Sequence, residues 1–165
     1  MKLILDTNAY VGFKLGYSDI VDYLTRADVI LMSPVVLGEL MFGFRNGSRL
    51  NSNMEELDLF LSHPAVETIH ISDVSSDRYS RIALQLKQQG TPIPSNDIWI
   101  AAQTLETGAL PPQEHRQSKT PDSDIFYTRH PYGFLHKVST AIHGGAAARK
   151  ERAILYPPKT PISQA

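Results

Sequence analysis

A chain of 165 residues, 42% hydrophobic and 20% charged, has room for one compact domain with a true core and not comfortably for two. It contains no cysteine, which excludes disulfides and thiolate metal sites. No apolar run is long enough to span a bilayer, and Leu3-Ile4-Leu5 meets Asp6 too soon for a signal peptide, so a cytoplasmic protein away from membranes is expected.

The formal net charge of −1 conceals an uneven split. Residues 1–108 carry eight Lys+Arg against thirteen Asp+Glu, whereas residues 109–165 carry eight against four. The front part is therefore no basic nucleic-acid platform by composition, and local patches must supply any backbone affinity. Arg45, Arg49, Arg78, Arg81 and Lys87 are the candidates there, against the plainer reading of solvated surface cations.

In chain order, Leu3-Ile4-Leu5 reads as a buried parallel strand, closed by Asp6-Thr7-Asn8 as a turn and helix cap. Apolar residues at mixed spacing follow from Tyr10 to Leu24, with Ser18-Asp19 capping a helix over Ile20, Val21, Tyr23 and Leu24. Val29-Ile30-Leu31-Met32 is a second buried strand. Ser33 as N-cap and Pro34 at the first position open a helix that Asn46-Gly47-Ser48 ends. The spacing of Met54, Leu57, Phe60 and Leu61 predicts a helix over 53–61, and the alternation of Val66 to Ile71 predicts a strand. Ser72-Asp73 caps a long helix ending at Gly90. Thr91-Pro92-Ile93-Pro94 is a stiff loop, and a helix runs from Asp97 to Thr107, stopped by Gly108. Strands alternating with helices describe an α/β fold with a parallel sheet, in which ligands sit beyond the carboxyl ends of the strands.

Past Gly108 the periodicity stops. Seven of the eleven prolines and four of the six histidines fall in residues 109–165, where only a short strand at Ile125-Phe126-Tyr127 and a helix from Ala146 to Leu155 suggest themselves. His115, His130, His136 and His143 share no ligand-like spacing, so no zinc site is expected, and Gly144-Gly145 lacks the strand and the Lys-Ser/Thr of a phosphate loop. His63 and His70 read as structural. The domain division is 1–108, a folded α/β unit, and 109–165, an atypical segment that reads as replaced or disordered.

Three carboxylates stand among residues bound for a core: Asp6 after Leu3-Ile4-Leu5, Glu39 within Ser33-Pro34-Val35-Val36-Leu37-Gly38-Glu39-Leu40, and Asp97 within Pro94-Ser95-Asn96-Asp97-Ile98-Trp99. A charge at the edge of a core needs a partner, and three acids need a cation, which points to a hard divalent metal and to chemistry on phosphate. Taken singly, Asp6 is as well explained as a helix N-cap, Glu39 as an exposed helix residue paired with Arg45, and Asp97 as part of a capping cluster with Ser95 and Asn96. Their joint occurrence favours the metal. Trp99 and Phe42 read as core residues. Met41, Phe42 and Phe44, with Tyr10 and Phe13, fit either an exposed face for a partner or core packing.

These motifs, in this order and spacing, resemble the PIN-domain ribonucleases, and most closely the VapC-like toxins of bacterial toxin–antitoxin pairs. The likeness rests on Leu3-Ile4-Leu5-Asp6-Thr7-Asn8, on Ser33 to Gly43, and on Pro94 to Ala102, and covers about residues 1–108. It implies a three-layer α/β/α fold with a central parallel sheet, and Mg²⁺- or Mn²⁺-dependent hydrolysis of RNA by Asp6, Glu39 and Asp97, which would ligate the metal. Thr7, Asn8 and Asn96 would then steady the acids or a metal-bound water. A homodimer and a cognate antitoxin are implied as partners.

The pattern departs from the family at the fourth ligand. The family places an acid or amide in a turn after the next strand; here Gly108-Ala109-Leu110 begins that strand and Pro111-Pro112 breaks it. Asp122, in Thr120-Pro121-Asp122, and Glu114 are the candidates for the missing ligand. The abrupt end of family-like sequence near Leu110 suggests a C-terminus replaced through a frameshift; an intact frame with the same tail in close relatives would refute that. The competing reading is a degenerate PIN domain that binds antitoxin or dimerises without catalysis. A small-molecule phosphohydrolase lacks its Asp-x-Asp, since Asp6-Thr7-Asn8 has one acid, and a receiver domain lacks the paired acids and the lysine it needs.

Overall fold

The computed structural model describes residues 1–109. The sheet consists, among those residues, of three parallel strands in the order β1 (Lys2–Leu5), β2 (Val29–Met32), β3 (Val66–Thr68). Six helices flank it: α1 (Thr7–Lys14) and α2 (Ser18–Thr25) between β1 and β2, α3 (Pro34–Asn46) and α4 (Leu50–Leu61) between β2 and β3, then α5 (Asp73–Gln88) and α6 (Ser95–Thr107). This is the α/β/α arrangement expected of a PIN domain.

β1 from Leu3 onward and all of β2 are apolar because both faces are covered, whereas the edge strand β3 exposes Glu67 and Thr68. Leu3, Leu5, Ile30 and Met32 point into the larger core, shared with Tyr10, Ile20, Val36, Leu40, Leu57 and Ile100. Ile4 and Leu31 point the other way, where Ala109 packs on them. A third cluster joins α5 to α6 through Ile82, Leu86, Ile98, Ala101 and Ala102. Of the aromatic group with two readings, Tyr10 is buried, and Phe13, Met41 and Phe44 pack on the larger core; Phe42 alone stands out, 62% exposed, which corrects its assignment to the core.

Several boundaries differ from those expected, each for a local reason. β3 stops at Thr68 instead of Ile71, because β2 turns into the Ser33 cap after Met32 and the Ile69 N–H to Met32 carbonyl bond, 3.0 Å, is the last that β2 offers it. α4 begins at Leu50 rather than Asn53. Arg49 and Glu56 both bond to Ser52, at 3.5 and 3.3 Å, and support the extra turn. α6 starts at Ser95, directly after Pro94, and ends where Gly108 takes φ +63°, a left-handed cap that glycine adopts without a Cβ penalty. Residues 7–14, where the apolar spacing was mixed, form a helix of their own.

Between α1, α2 and α4 lies an apolar cavity of about 600 Å³, lined by Phe13, Leu24, Ile30, Phe60 and Val66, with Lys14 and Glu56 paired at its rim. None of the described helices is long and apolar enough to cross a membrane.

Candidate metal centre

The register of the sheet starts the site. Leu5 pairs with Met32, so Asp6 and Ser33 follow side by side at the carboxyl edge. Asp6 is the N-cap of α1, its Oδ1 accepting the Ala9 N–H at 2.7 Å. Ser33 is the N-cap of α3, its Oγ accepting the Val35 N–H at 3.1 Å, and α3 carries Glu39. Asp97 lies in the first turn of α6, which packs against α3. The plain capping reading of Asp6 and the metal reading are compatible, because the cap bond from Ala9 engages Oδ1 alone.

Glu39 is the hub. Its Oε2 accepts a hydrogen bond from the Thr7 hydroxyl, and its Oε1 accepts one from Asn96 Nδ2 at 2.7 Å. Each oxygen is therefore held by the residue next to one of the other two acids. Thr7 and Asn96 both serve Glu39, not the acid beside them in sequence. Asn8 directs its backbone N–H toward Asp6. The pairing of Glu39 with Arg45 is not formed. Among the described residues no Lys or Arg makes an ion pair with Asp6, Glu39 or Asp97.

The electrostatics follow from that geometry. Burial raises the Asp6 carboxyl above its usual range, the Glu39 charge adds to the rise, and the Ala9 N–H opposes it. Asp97 is pushed up to about 6, first by burial and then by the charges of Glu39 and Asp6. Three carboxylates that repel one another across a partly buried space, all with hard oxygen donors, suit a divalent cation of the Mg²⁺ or Mn²⁺ kind. Among the described residues, no group of three His, Asp or Glu is placed so that all three could hold one metal ion. Mg²⁺ asks for less than a cage, since it keeps several waters and takes one or two carboxylates. Asp122 and Glu114, the candidates for a fourth ligand, lie outside the described residues, as do the strand and helix expected beyond residue 110.

One residue of the neighbourhood was not singled out from the sequence. Gln103, wholly buried in α6, accepts the Ser33 hydroxyl at 2.6 Å and donates to the His70 carbonyl at 3.2 Å. A glutamine following Ile98, Ile100, Ala101 and Ala102 is the one available hint.

Comparison with known proteins agrees with the fold and the family resemblance. The sequence profile of the PIN domain matches residues 3–110. Ribonuclease VapC2 of Rickettsia felis is 30% identical over 113 residues, covering 66% of this chain and 83% of that protein. Ribonuclease VapC1 of Haemophilus influenzae is 27% identical over 114 residues, covering 67% and 84%. Among solved structures, VapBC2 of Rickettsia felis bound to a fragment of its promoter DNA superposes with a TM-score of 0.61 at 28% identity, over 67% of this chain and 86% of that one. VapBC-1 of nontypeable Haemophilus influenzae gives 0.60 at 25% identity, over 67% and 84%.

Proposed function

The chain belongs to the PIN-domain family, and on that premise we propose that it is a metal-dependent endoribonuclease, the toxin of a toxin–antitoxin pair. The observation that carries the proposal is the junction at Glu39, whose two oxygens are held by the neighbours of Asp6 and Asp97, close enough that its charge raises the carboxyls of both. The relatives that are ribonucleases, and the neighbours that are VapBC complexes, support the substrate and the partner: RNA, and a cognate antitoxin. A homodimer and a cytoplasmic location complete the reading.

Asp6, Glu39 and Asp97 would hold Mg²⁺ or Mn²⁺, with Asp122 or Glu114 as the fourth ligand. Such an ion lowers the pKa of a bound water and neutralises charge on the phosphate. The chain's own contributions are separable. Thr7 and Asn96 aim the Glu39 carboxylate. The Ala9 N–H fixes Asp6 Oδ1 and so orients the carboxyl. Burial and the charges of Glu39 and Asp6 raise the Asp97 carboxyl to about 6 in the metal-free chain, and a bound cation would favour its ionised form.

The test is cleavage of a mixed RNA pool by the purified full chain with Mn²⁺, beside Asp6→Asn. Cleavage that chelator and the substitution both abolish is the expected result. A folded, metal-supplied wild type that cuts nothing would support the second reading, a PIN domain that binds antitoxin or dimerises without catalysis. Pro111-Pro112 favours that alternative, because two residues without an N–H stand where the fourth ligand's strand is expected.

A further inference from the structure

Asn96 and Gln103 are seven residues apart on α6, an interval that sets two side chains on one stripe of a helix. Across the seam, Asn96 meets Glu39 and Gln103 meets Ser33, so α3 and α6 run antiparallel and are joined by two polar rungs. The rungs match in spacing: about 10.5 Å along α6 and about 9 Å from Ser33 to Glu39, at the helical rise of 1.5 Å per residue. Ile100 and Val36 fill the space between them and belong to one buried cluster.

The inner rung is entirely enclosed, with Ser33 and Gln103 both at 0% exposure, and its polar groups are used. Gln103 Oε1 accepts from Ser33, Gln103 Nε2 donates to the carbonyl of His70, and Ser33 Oγ itself accepts from the Val35 N–H. One amide therefore fastens the first turn of α3, the middle of α6 and the chain leaving β3. Packing alone does not call for it, since an apolar side chain of similar length would fill the volume without the cost of desolvating an amide. What a hydrogen-bonded amide adds is registry: it tolerates one alignment of the helices, where an apolar contact tolerates several. A slip of one residue along α3 would carry Glu39 about 1.5 Å past Asp97, a large displacement beside a metal–oxygen distance of about 2.1 Å.

We infer that Gln103 is a positioning residue of the metal centre, fixing α3 against α6 through Ser33 and the His70 carbonyl and so setting the separation of Glu39 and Asp97. The inference rests on the proposed metal-dependent function. Its test is a Mn²⁺ titration followed by electron paramagnetic resonance, comparing full-length wild type with Gln103→Met well below the melting temperature of either. The expected result is a folded variant that binds Mn²⁺ about 10- to 100-fold more weakly, with kcat for RNA cleavage reduced and KM little changed. A folded variant that melts earlier but binds Mn²⁺ as wild type does would overturn the role. Should Gln103→Met not fold, Ser33→Ala breaks the same rung from the other side, leaves the bond to His70, and is judged by the same criterion. Wild type that binds no Mn²⁺ overturns the functional reading together with this role; wild type and variant binding alike overturns the role alone.

Discussion

Glu56 and Asp97 are carboxylates of one domain held in opposite electrostatic states. Glu56, at the rim of the apolar cavity between α1, α2 and α4, receives the Lys14 ammonium at 2.5 Å and the Arg49 guanidinium at 3.8 Å. The bond from Lys14 holds its carboxyl below the ordinary range, with Ser52 and Arg49 assisting. Asp97, at the carboxyl edge, has no such partner among the described residues and faces two like charges, so its pKa rises to about 6. The rim of the cavity is built as a structure is built, with each charge answered on the spot. At the carboxyl edge the acids lie beside one another with no Lys or Arg paired to them among the described residues, as the proposed metal site requires. Holding that charge is a cost to the apo fold, of the kind that active sites commonly carry.

The contrast can be broken most severely at Glu39. Glu39→Gln removes the hub charge and is expected to lower Mn²⁺-dependent RNA cleavage by about 100-fold or more, while Glu56→Gln leaves the rate within about twofold. A single-turnover assay on both variants decides it, and equal losses would erase the distinction between the two places. Next in size is Thr7→Val, which keeps shape and deletes one donor to Glu39. Mn²⁺ affinity should weaken about 10-fold, as for other groups that orient a metal ligand.

The sign of the Asp97 shift yields a third expectation. Its folded pKa of about 6 stands above the ordinary 3.8, so between those values the native state binds more protons than the unfolded chain. The stability linked to this group is present at low pH and is lost as pH rises through about 6. Asp97→Asn should therefore stabilise the apo protein at pH 7, by about 1 kcal/mol after allowance for solvent screening of a half-buried group, and flatten the pH dependence of denaturant unfolding. A destabilised variant at pH 7 would contradict the repulsion on which the site reading depends. Because protons compete with metal for the same oxygens, Mn²⁺ should raise Tm more at pH 7.5 than at pH 5.5 in thermal melts. Smallest of all, Glu56→Gln should leave Tm within about 2 °C, since exposed ion pairs contribute little.

Much of this fold is written locally. Ser33-Pro34 announces the start of α3 by capping and by the fixed φ of proline, Ser72 announces α5, and Gly108 ends α6 in the left-handed region. The apolar runs at residues 3–5 and 29–32 reveal strands covered on both faces. Where expectations slipped, as at the end of β3, the deciding factor was whether a neighbouring strand still offered a partner, which no single segment contains.

The site divides in the same way. Asp6, Glu39 and Asp97 were legible because each acid interrupts an apolar context, an expensive placement that asks for a reason. The sequence therefore determined the fold class and most of its elements, α1 excepted, and it offered the three acids as candidates. The tertiary structure alone decided that Thr7 and Asn96 both grip Glu39, and that Gln103 reaches Ser33. Those contacts join residues 32, 57 and 70 positions apart, and hydrogen bonds of that range obey no local period; they exist because the parallel register of β1 and β2 and the antiparallel packing of α3 on α6 bring the donors to their acceptors.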